Sequence, residues 1–165
     1  VGDSRIEDSH IETAKQILAT AVEKGVEICL PIDHRCAREF SASADVVLQS
    51  EAIEDGLMGL DIGPKTASIF SDKLSSARTV FWNGPMGVFE FDAFAAGTRS
   101  IAVAVADSSA WSVVGGGDSV RAVKESGQAD AIDHVSTGGG ASLEFIEGKI
   151  LPGLAALGYG KSESV

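Results

Sequence analysis

The chain has 165 residues, 44% of them apolar and 22% charged, which is the composition of a folded globular domain rather than of a disordered chain. Its formal net charge of −11 disfavours electrostatic binding to nucleic acid or to an anionic membrane surface. No apolar run approaches the roughly 18 residues that a membrane span requires. The two cysteines, Cys29 and Cys36, form neither a zinc pattern nor a disulfide framework, and we expect a reducing compartment.

Helical and extended patterns alternate along the chain. Apolar residues at helical spacing predict a first helix over residues 11–22, which Gly25 ends. The short apolar run at 26–30 predicts a strand, which Pro31 ends. The remaining predicted elements, in chain order, are a strand at 45–48, a helix from Pro64 to about Ser76, a strand at 79–82, a helix at 92–107, a strand at 110–114, a helix at 118–126, a strand at 132–135 and a helix at about 140–147.

This alternation predicts an α/β fold, in which a Rossmann-like parallel sheet carries helices on both faces. Three of the predicted strands run directly into glycine, at Asn83-Gly84, at Gly115-Gly116-Gly117 and at Thr137-Gly138-Gly139-Gly140. In such sheets the ligand crevice lies beyond the carboxyl ends of the strands. We therefore expect these glycines to converge on one edge of the sheet and to line a ligand site.

The segment Gly115-Gly116-Gly117-Asp118-Ser119 follows a predicted strand and opens a helix. Glycine permits a tight turn with free N–H groups, and the helix amino terminus adds partial positive charge, so that a phosphate fits there. Asp118 is a candidate Mg²⁺ ligand and Ser119 a candidate phosphate contact. The alternative is that Asp118 only caps the helix. Because no Lys follows the glycines, the segment is not a Walker A motif.

The segment Gly138-Gly139-Gly140 repeats this arrangement one strand later. One glycine-rich helix start is readily explained as a tight turn. Two of them on the same sheet edge favour phosphate binding, because both helix amino termini then face one ligand.

Further residues have a functional and a structural interpretation that the sequence alone leaves open. Glu90 follows a rigid strand-exit loop and is either a ribose ligand or a carboxylate at a helix start. Leu60 precedes another helix entry and either flanks a flat base or packs in the core. His34 and Cys36 are expected in an irregular loop and are not expected to form a catalytic dyad.

Three segments resemble the phosphoglycerate kinase family and occur in that family's order. They are Phe81-Trp82-Asn83-Gly84-Pro85-Met86-Gly87-Val88-Phe89-Glu90, Gly115-Gly116-Gly117-Asp118-Ser119 and Ser136-Thr137-Gly138-Gly139-Gly140-Ala141-Ser142-Leu143-Glu144. The resemblance runs from Val1 to Leu157, although residues 33–38 depart from the usual pattern. It implies that residues 1–157 are part of a carboxyl-terminal nucleotide-binding domain and that residues 158–165 form a loose tail.

The resemblance implies a reversible reaction, in which 1,3-bisphosphoglycerate gives its phosphoryl group to Mg-ADP to make ATP and 3-phosphoglycerate. It also implies a cytoplasmic glycolytic enzyme that is monomeric when intact and binds neither nucleic acid nor membrane. The site residues implied are Leu60, Asn83 and Pro85 for adenosine, Glu90 for ribose, Gly116, Gly117, Asp118 and Ser119 for the phosphates, Asp118 for Mg²⁺, and Gly138, Gly139 and Gly140 for the transferred phosphoryl group.

The family also has parts that this sequence does not contain. They are an amino-terminal domain with a basic patch for phosphoglycerate, and two further strands of the nucleotide-binding domain, one of which leads to a lysine at the nucleotide phosphates. None of these precedes Val1, so we expect a sheet truncated at its amino-terminal side and a chain that is inactive alone. The alternative function is a noncatalytic nucleotide-binding α/β module.

Overall fold

A computed structural model describes residues 1–136 and 138–159 of the chain. The chain divides into two compact units. We call them the antiparallel unit (Val1–Lys73 and Met86–Ile101) and the parallel unit (Leu74–Pro85 and Ala102–Val165), after the sheet that each contains. Of the residues predicted to form a loose tail, 160–165 lie outside the described part of the chain, as does Thr137 in the second glycine segment.

The antiparallel unit is built on a sheet of β1 (His34–Ala37), β2 (Val47–Gln49) and β3 (Met58–Ile62) in the order β2-β1-β3. The register places Arg35 opposite Leu48 on one side and opposite Asp61 on the other. Helix α1 (Ile11–Glu23) precedes the sheet, and α2 (Pro64–Ser75) follows it after a single glycine. The hydrophobic core gathers Ala37, Ala44, Leu60 and Phe94, with Met58, Val88, Phe91 and Ala93 packed against them.

The parallel unit contains β4 (Thr79–Asn83), β5 (Trp111–Gly115) and β6 (His134–Ser136), in the order β4-β5-β6 with every pairing parallel. Helix α3 (Ala96–Asp107) leads into β5, α4 (Gly117–Glu125) joins β5 to β6, and α5 (Gly139–Ile146) and α6 (Pro152–Ala156) follow β6. Short 3₁₀ turns lie at Asp8–His10, Asp92–Phe94 and Ala129–Ala131. Since parallel strands share a direction, the carboxyl ends of β4, β5 and β6 meet at one sheet edge.

The mixed α/β fold with a parallel sheet flanked by helices, predicted from the alternating pattern, is confirmed. Strands β4, β5 and β6 and helices α1, α2, α4 and α5 lie within a few residues of their predicted positions. The predicted helix at 92–107 is divided into a 3₁₀ turn and α3, and Phe94 in that turn is fully buried. In the described part of the chain, no helix is both long and apolar enough to cross a membrane.

Two predictions of local structure are wrong. Residues 26–30, all of them described, do not form a strand, and Val26 and Leu30 are about 60% exposed. An apolar run becomes a strand only when a neighbouring strand accepts its backbone hydrogen bonds, and the described residues supply no such neighbour here. Conversely, residues 34–37, expected to be irregular, form β1, because β2 and β3 pair with it on both sides.

Candidate functional site

The first glycine segment forms the turn between β5 and α4 in the parallel unit. Gly116 has a φ of 91° and is the N-cap residue of α4, where no side chain of the described chain caps the helix. This φ lies in the left-handed region that favours glycine. A Cβ on Gly116 would lie 3.2 Å from the Asn83 side-chain nitrogen, so the turn packs closely against the end of β4. The first N–H groups of α4 therefore lack a side-chain partner.

The two polar residues predicted at this turn have different environments. Asp118 lies in the first turn of α4 and is exposed. Ser119 is buried, with 1% of its surface exposed, and its oxygen accepts a hydrogen bond of 2.6 Å from the backbone N–H of Gly84. The Trp82 indole N–H donates to the carbonyl oxygen of the same Gly84 at 2.7 Å. Ser119 thus ties the end of β4 to α4, a structural role that its sequence position did not reveal.

The second glycine segment forms the turn between β6 and α5, directly beside the first. Gly138 is the N-cap residue of α5 and makes no side-chain cap hydrogen bond, while its own N–H donates to the Ser136 hydroxyl at 3.3 Å. A Cβ on Gly139 would lie 2.8 Å from the Cα of Gly116 and 3.2 Å from its nitrogen. That separation is too short for any side chain, so the backbones of the two turns touch. The structure therefore brings the two predicted glycine segments together at one edge of the sheet.

The contact between these turns sets two helix amino termini close together. Each terminus offers backbone N–H groups and partial positive charge, which together suit a phosphate. Asp118 adds one exposed carboxylate at the same place. Mg²⁺ in nucleotide sites is often held by one or two carboxylates plus substrate phosphates and water, so a single Asp118 beside the two glycine turns fits that ion. The described residues contain no cluster of three or more His, Cys, Asp or Glu side chains that could hold a metal ion.

Leu60 and Glu90, the remaining predicted site residues, belong to the antiparallel unit. Leu60 is 7% exposed and packs in the core cluster, as the core-packing alternative anticipated. Its carbonyl oxygen accepts a 2.8 Å hydrogen bond from the Val88 N–H. Glu90 is exposed and lies in a turn that the Phe91 N–H closes by donating to the Val88 oxygen at 3.0 Å. This geometry does not test whether Leu60 or Glu90 contacts a nucleoside.

Sequence reasoning overlooked Asp33, a buried carboxylate at the start of α2. Its oxygens accept hydrogen bonds from the N–H of Lys65 at 3.0 Å and from the N–H and hydroxyl of Thr66 at 2.8 and 2.6 Å. Burial acts to raise the pKa of Asp33, but the Thr66 and Lys65 hydrogen bonds outweigh burial and hold the pKa below its usual value. A Cβ on Gly63 would collide with this carboxylate, which explains the glycine ahead of α2.

A second buried carboxylate, Asp61 on β3, directly follows Leu60 and was not predicted to have a role. It accepts hydrogen bonds from the N–H of Gly97 at 2.7 Å and from the N–H of Ile62 at 2.9 Å. Burial raises the pKa of Asp61 to about 6, against the opposing effect of these hydrogen bonds and of the Arg35 cation. The signal in the sequence was a lone Asp between apolar residues of a strand, which is a costly position unless the carboxylate has partners.

Comparison with known proteins identifies a single family. A model of the family described as phosphoglycerate kinase matches residues 1–149. Proteins named phosphoglycerate kinase from Clostridium perfringens and Clostridium tetani are 54% and 51% identical to this chain, and each match covers 95% of it. The matches cover only 40% and 39% of those relatives, so the chain spans about two fifths of their length.

Solved structures agree with the sequence comparison. The structure of phosphoglycerate kinase from Coxiella burnetii matches 91% of this chain with a TM-score of 0.88 and 41% identity. That of Pyrococcus horikoshii OT3 matches 94% with a TM-score of 0.70 and 34% identity. This chain corresponds to 39% and 40% of those two chains, respectively.

Proposed function

The chain belongs to the phosphoglycerate kinase family, and from that premise we propose that it supplies the Mg-nucleotide half of a glycolytic phosphotransferase. The enzyme would transfer a phosphoryl group reversibly between 1,3-bisphosphoglycerate and ADP, giving 3-phosphoglycerate and ATP. Residues 1–157 would be part of its carboxyl-terminal, nucleotide-binding domain. The cytoplasm, where glycolysis runs, is the proposed location.

One observation carries the proposal: the contact between the glycine turns after β5 and β6. Both turns start helices at an N-cap glycine, which has no side chain to bond the first helical N–H groups, and a Cβ on Gly139 would lie only 2.8 Å from the Cα of Gly116. A tight turn needs one glycine, whereas two adjacent glycine turns with free N–H groups suit a chain of phosphates. The family membership then supplies the identity of the phosphorylated ligand.

We assign the proposed roles by turn. Gly116, Gly117 and the start of α4 would bind the nucleotide phosphates through backbone N–H groups, with the hydroxyl hydrogen of Ser119 as a further donor. Asp118 would hold Mg²⁺, which neutralises charge on the phosphates when it is bound. Gly138, Gly139 and Gly140 would stabilise the transferred phosphoryl group, by N–H groups aimed where negative charge develops. Asn83, Pro85, Leu60 and Glu90 keep the nucleoside roles that the family resemblance gives them.

In the proposed reaction, a terminal oxygen of ADP forms a new bond to the phosphorus of the acyl phosphate. The bond between that phosphorus and the carboxyl oxygen breaks, and the carboxylate of 3-phosphoglycerate leaves with the electron pair. The chain performs no covalent chemistry itself. Its contribution is to position the nucleotide and stabilise charge, as in other phosphoryl transfers.

The acyl-phosphate substrate would bind to a part of the enzyme that lies outside this chain, which spans about two fifths of its relatives' length. Positioning two reactants contributes roughly 7–11 kcal/mol in favourable cases. We therefore propose that this chain alone binds nucleotide weakly and does not turn over, and that the intact enzyme acts as a monomer.

Two measurements on this chain and on the full-length protein test the proposal: a calorimetric titration with Mg-ADP, and a coupled assay of ATP formation from 1,3-bisphosphoglycerate. We expect binding in both proteins and turnover only in the full-length one. Binding without turnover in the full-length protein would instead indicate a noncatalytic nucleotide-binding module. Turnover by the isolated chain at the full-length rate would contradict the half-site assignment.

A further inference from the structure

Asp61 lies where three segments of the antiparallel unit meet: strand β3, the loop at residues 86–91, and the first turn of α3. One carboxylate oxygen accepts from the N–H of Gly97 in α3, and the other from the N–H of Ile62 in its own strand. Only 5% of the residue is exposed. The carboxylate is therefore shared between a strand and a helix start, and solvent does not reach it.

Two glycines pack directly against this carboxylate. A Cβ on Gly87 would lie 2.5 Å from the Asp61 Oδ1 and 2.6 Å from its Cα, and a Cβ on Gly97 would collide with the same oxygen. The loop and the helix start thus approach Asp61 as closely as backbone can. The loop is also tied to α3 directly, because the Met86 N–H donates to the Thr98 hydroxyl at 3.0 Å.

The same three segments carry the two nucleoside residues of this unit. Leu60 precedes Asp61 on β3, and its carbonyl accepts the Val88 N–H of the loop. Glu90 lies two residues after Val88, in the turn closed by Phe91. A shift of the strand relative to the loop would therefore displace Leu60 and Glu90 with respect to each other.

We propose that Asp61 is a positioning residue of the nucleoside site, which joins β3 to the start of α3 and thereby holds Leu60 and the turn of Glu90 in one arrangement. This inference rests on the proposed function, since it assumes that Leu60 and Glu90 contact adenosine. Asp61 itself is buried and would not touch the substrate. Its effect is on nucleoside binding and not on the transfer step.

The test compares three variants of the full-length kinase. Asp61→Asn keeps the size of the side chain but can accept only one of the two hydrogen bonds without opposing an N–H with its own amide. Glu90→Gln weakens the proposed ribose contact directly. Asp33→Asn is the matched control, because Asp33 is an equally buried carboxylate at a helix start in the same unit and has no contact with Leu60 or the 86–91 loop among its described hydrogen bonds.

We expect Asp61→Asn to raise KM for Mg-ADP about 10-fold while kcat stays within about 3-fold, the pattern for loss of uniform binding. The inhibition constant of inorganic tripolyphosphate, which has phosphates but no nucleoside, should not change. Glu90→Gln should follow the same pattern, and Asp33→Asn should lower the melting temperature without raising KM. Assays are run below the onset of unfolding of every variant.

A raised KM in Glu90→Gln together with an unchanged KM in Asp61→Asn overturns this inference and leaves the proposed function intact. An equal weakening of Mg-ADP and tripolyphosphate in Asp61→Asn also overturns it, since that result indicates general loss of structure. Unchanged KM values in both variants would remove the nucleoside assignment and the inference together.

A measurement on the wild-type full-length protein keeps the inference testable if Asp61→Asn does not fold. Mg-ADP should slow hydrogen exchange at the amides of Gly97 and Val88, which donate hydrogen bonds to the Asp61 carboxylate and the Leu60 carbonyl, respectively. Tripolyphosphate should not slow exchange at either amide. The amides of Lys65 and Thr66, held by Asp33, serve as the internal reference. Equal protection by both ligands, or no protection at Gly97 and Val88, contradicts the proposal.

Discussion

Two helix starts of the antiparallel unit differ from two helix starts of the parallel unit, although α1, also in the antiparallel unit, begins at His10 without a side-chain cap. In the antiparallel unit, Asp33 accepts hydrogen bonds at the start of α2 and Asp61 accepts one at the start of α3. In the parallel unit, α4 and α5 begin at the N-cap glycines Gly116 and Gly138, which make no side-chain cap hydrogen bond, and only the Gly138 N–H has a side-chain acceptor among the described hydrogen bonds, the Ser136 hydroxyl.

This contrast distinguishes a helix start that belongs to the fold from one that is available to a ligand. The first N–H groups of any helix lack intrahelical partners. A buried carboxylate that satisfies them also supplies the negative charge that the helix dipole favours, so an anion has no reason to bind there. A glycine start leaves both the N–H groups and the dipole for an incoming phosphate. We therefore expect mutations at the starts of α4 and α5 to change ligand binding and turnover, and mutations at the starts of α2 and α3 to change the stability of the fold.

The largest expected effect follows from removing the one carboxylate beside the glycine turns. If Asp118 has its proposed role, Asp118→Ala in the full-length protein should lower kcat about 10³-fold or more, because the Mg²⁺ that would neutralise the phosphates loses its protein ligand. The melting temperature without nucleotide should hardly change, since Asp118 is exposed. Steady-state kinetics and thermal melts measure both.

The matched control for this variant is Asp130→Ala, which removes another exposed carboxylate of the parallel unit, in the 3₁₀ turn at Ala129–Ala131. It should leave turnover unchanged. Near-normal turnover in Asp118→Ala would contradict the metal role of Asp118. It would also weaken the argument that a glycine helix start is available to a ligand and a carboxylate-bonded start is not.

A somewhat smaller effect is expected from separating the two glycine turns. In Gly139→Ala the new methyl group would meet the Cα of Gly116 at 2.8 Å, so the two backbones must move apart. We expect kcat to fall roughly 10²–10³-fold, similar to the loss of one backbone donor at a developing negative charge. The coupled assay measures this, with circular dichroism to establish folding.

Gly153→Ala provides the comparison for this variant. Gly153 lies in α6, and an added Cβ there meets nothing within 4 Å. Turnover should be unchanged, and the greater helix propensity of alanine should stabilise α6 by up to about 1 kcal/mol. If both glycine variants kept full activity, the contact between the turns would have no catalytic importance.

The sequence predicted the parallel unit well because its signals are local. Strands β4 and β5 are mostly apolar and end at or directly before a glycine, and β5 and β6 are each followed by a helix that begins in a glycine segment. The parallel direction and the shared edge follow from that alternation alone. The meeting of the two glycine turns was therefore predictable, although the backbone contact between Gly139 and Gly116 was not.

The helices α1 and α2 of the antiparallel unit were predicted, but its sheet and its buried carboxylates were not, because their interactions are distant in sequence. Strand β1 has the polar residues His34 and Arg35 in half its length, and only pairing with β2 and β3 makes it a strand. The hydrogen bonds of Asp33 reach 32 and 33 residues along the chain, and that of Asp61 reaches 36. No local pattern encodes such partners. The strand predicted at 26–30 is absent for the converse reason, since the apolar pattern of these residues is strong but the described chain gives them no partner strand.

The smallest expected effect concerns the antiparallel unit, where the pKa values of the two buried carboxylates, Asp33 and Asp61, are shifted in opposite directions. Burial raises the pKa of Asp61 in the folded protein to about 6 from 3.8. The folded state therefore binds this proton more tightly than the unfolded state. The contribution of that proton to stability is complete below pH 3.8 and is lost as the pH rises through 6.

The pKa of Asp33 is lowered, so its contribution is present above pH 3.8 and is lost as the pH falls through the folded-state value. Thermal melts of the full-length protein should then show that wild type gains on Asp61→Asn as the pH falls from 8 to 5, by roughly 1.4 kcal/mol, because pH 5 lies about one pH unit below the folded-state pKa. The advantage of wild type over Asp33→Asn should instead shrink below about pH 4. Differences of the same sign for both variants would mean that these carboxylates do not play the separate electrostatic roles that their hydrogen bonds indicate.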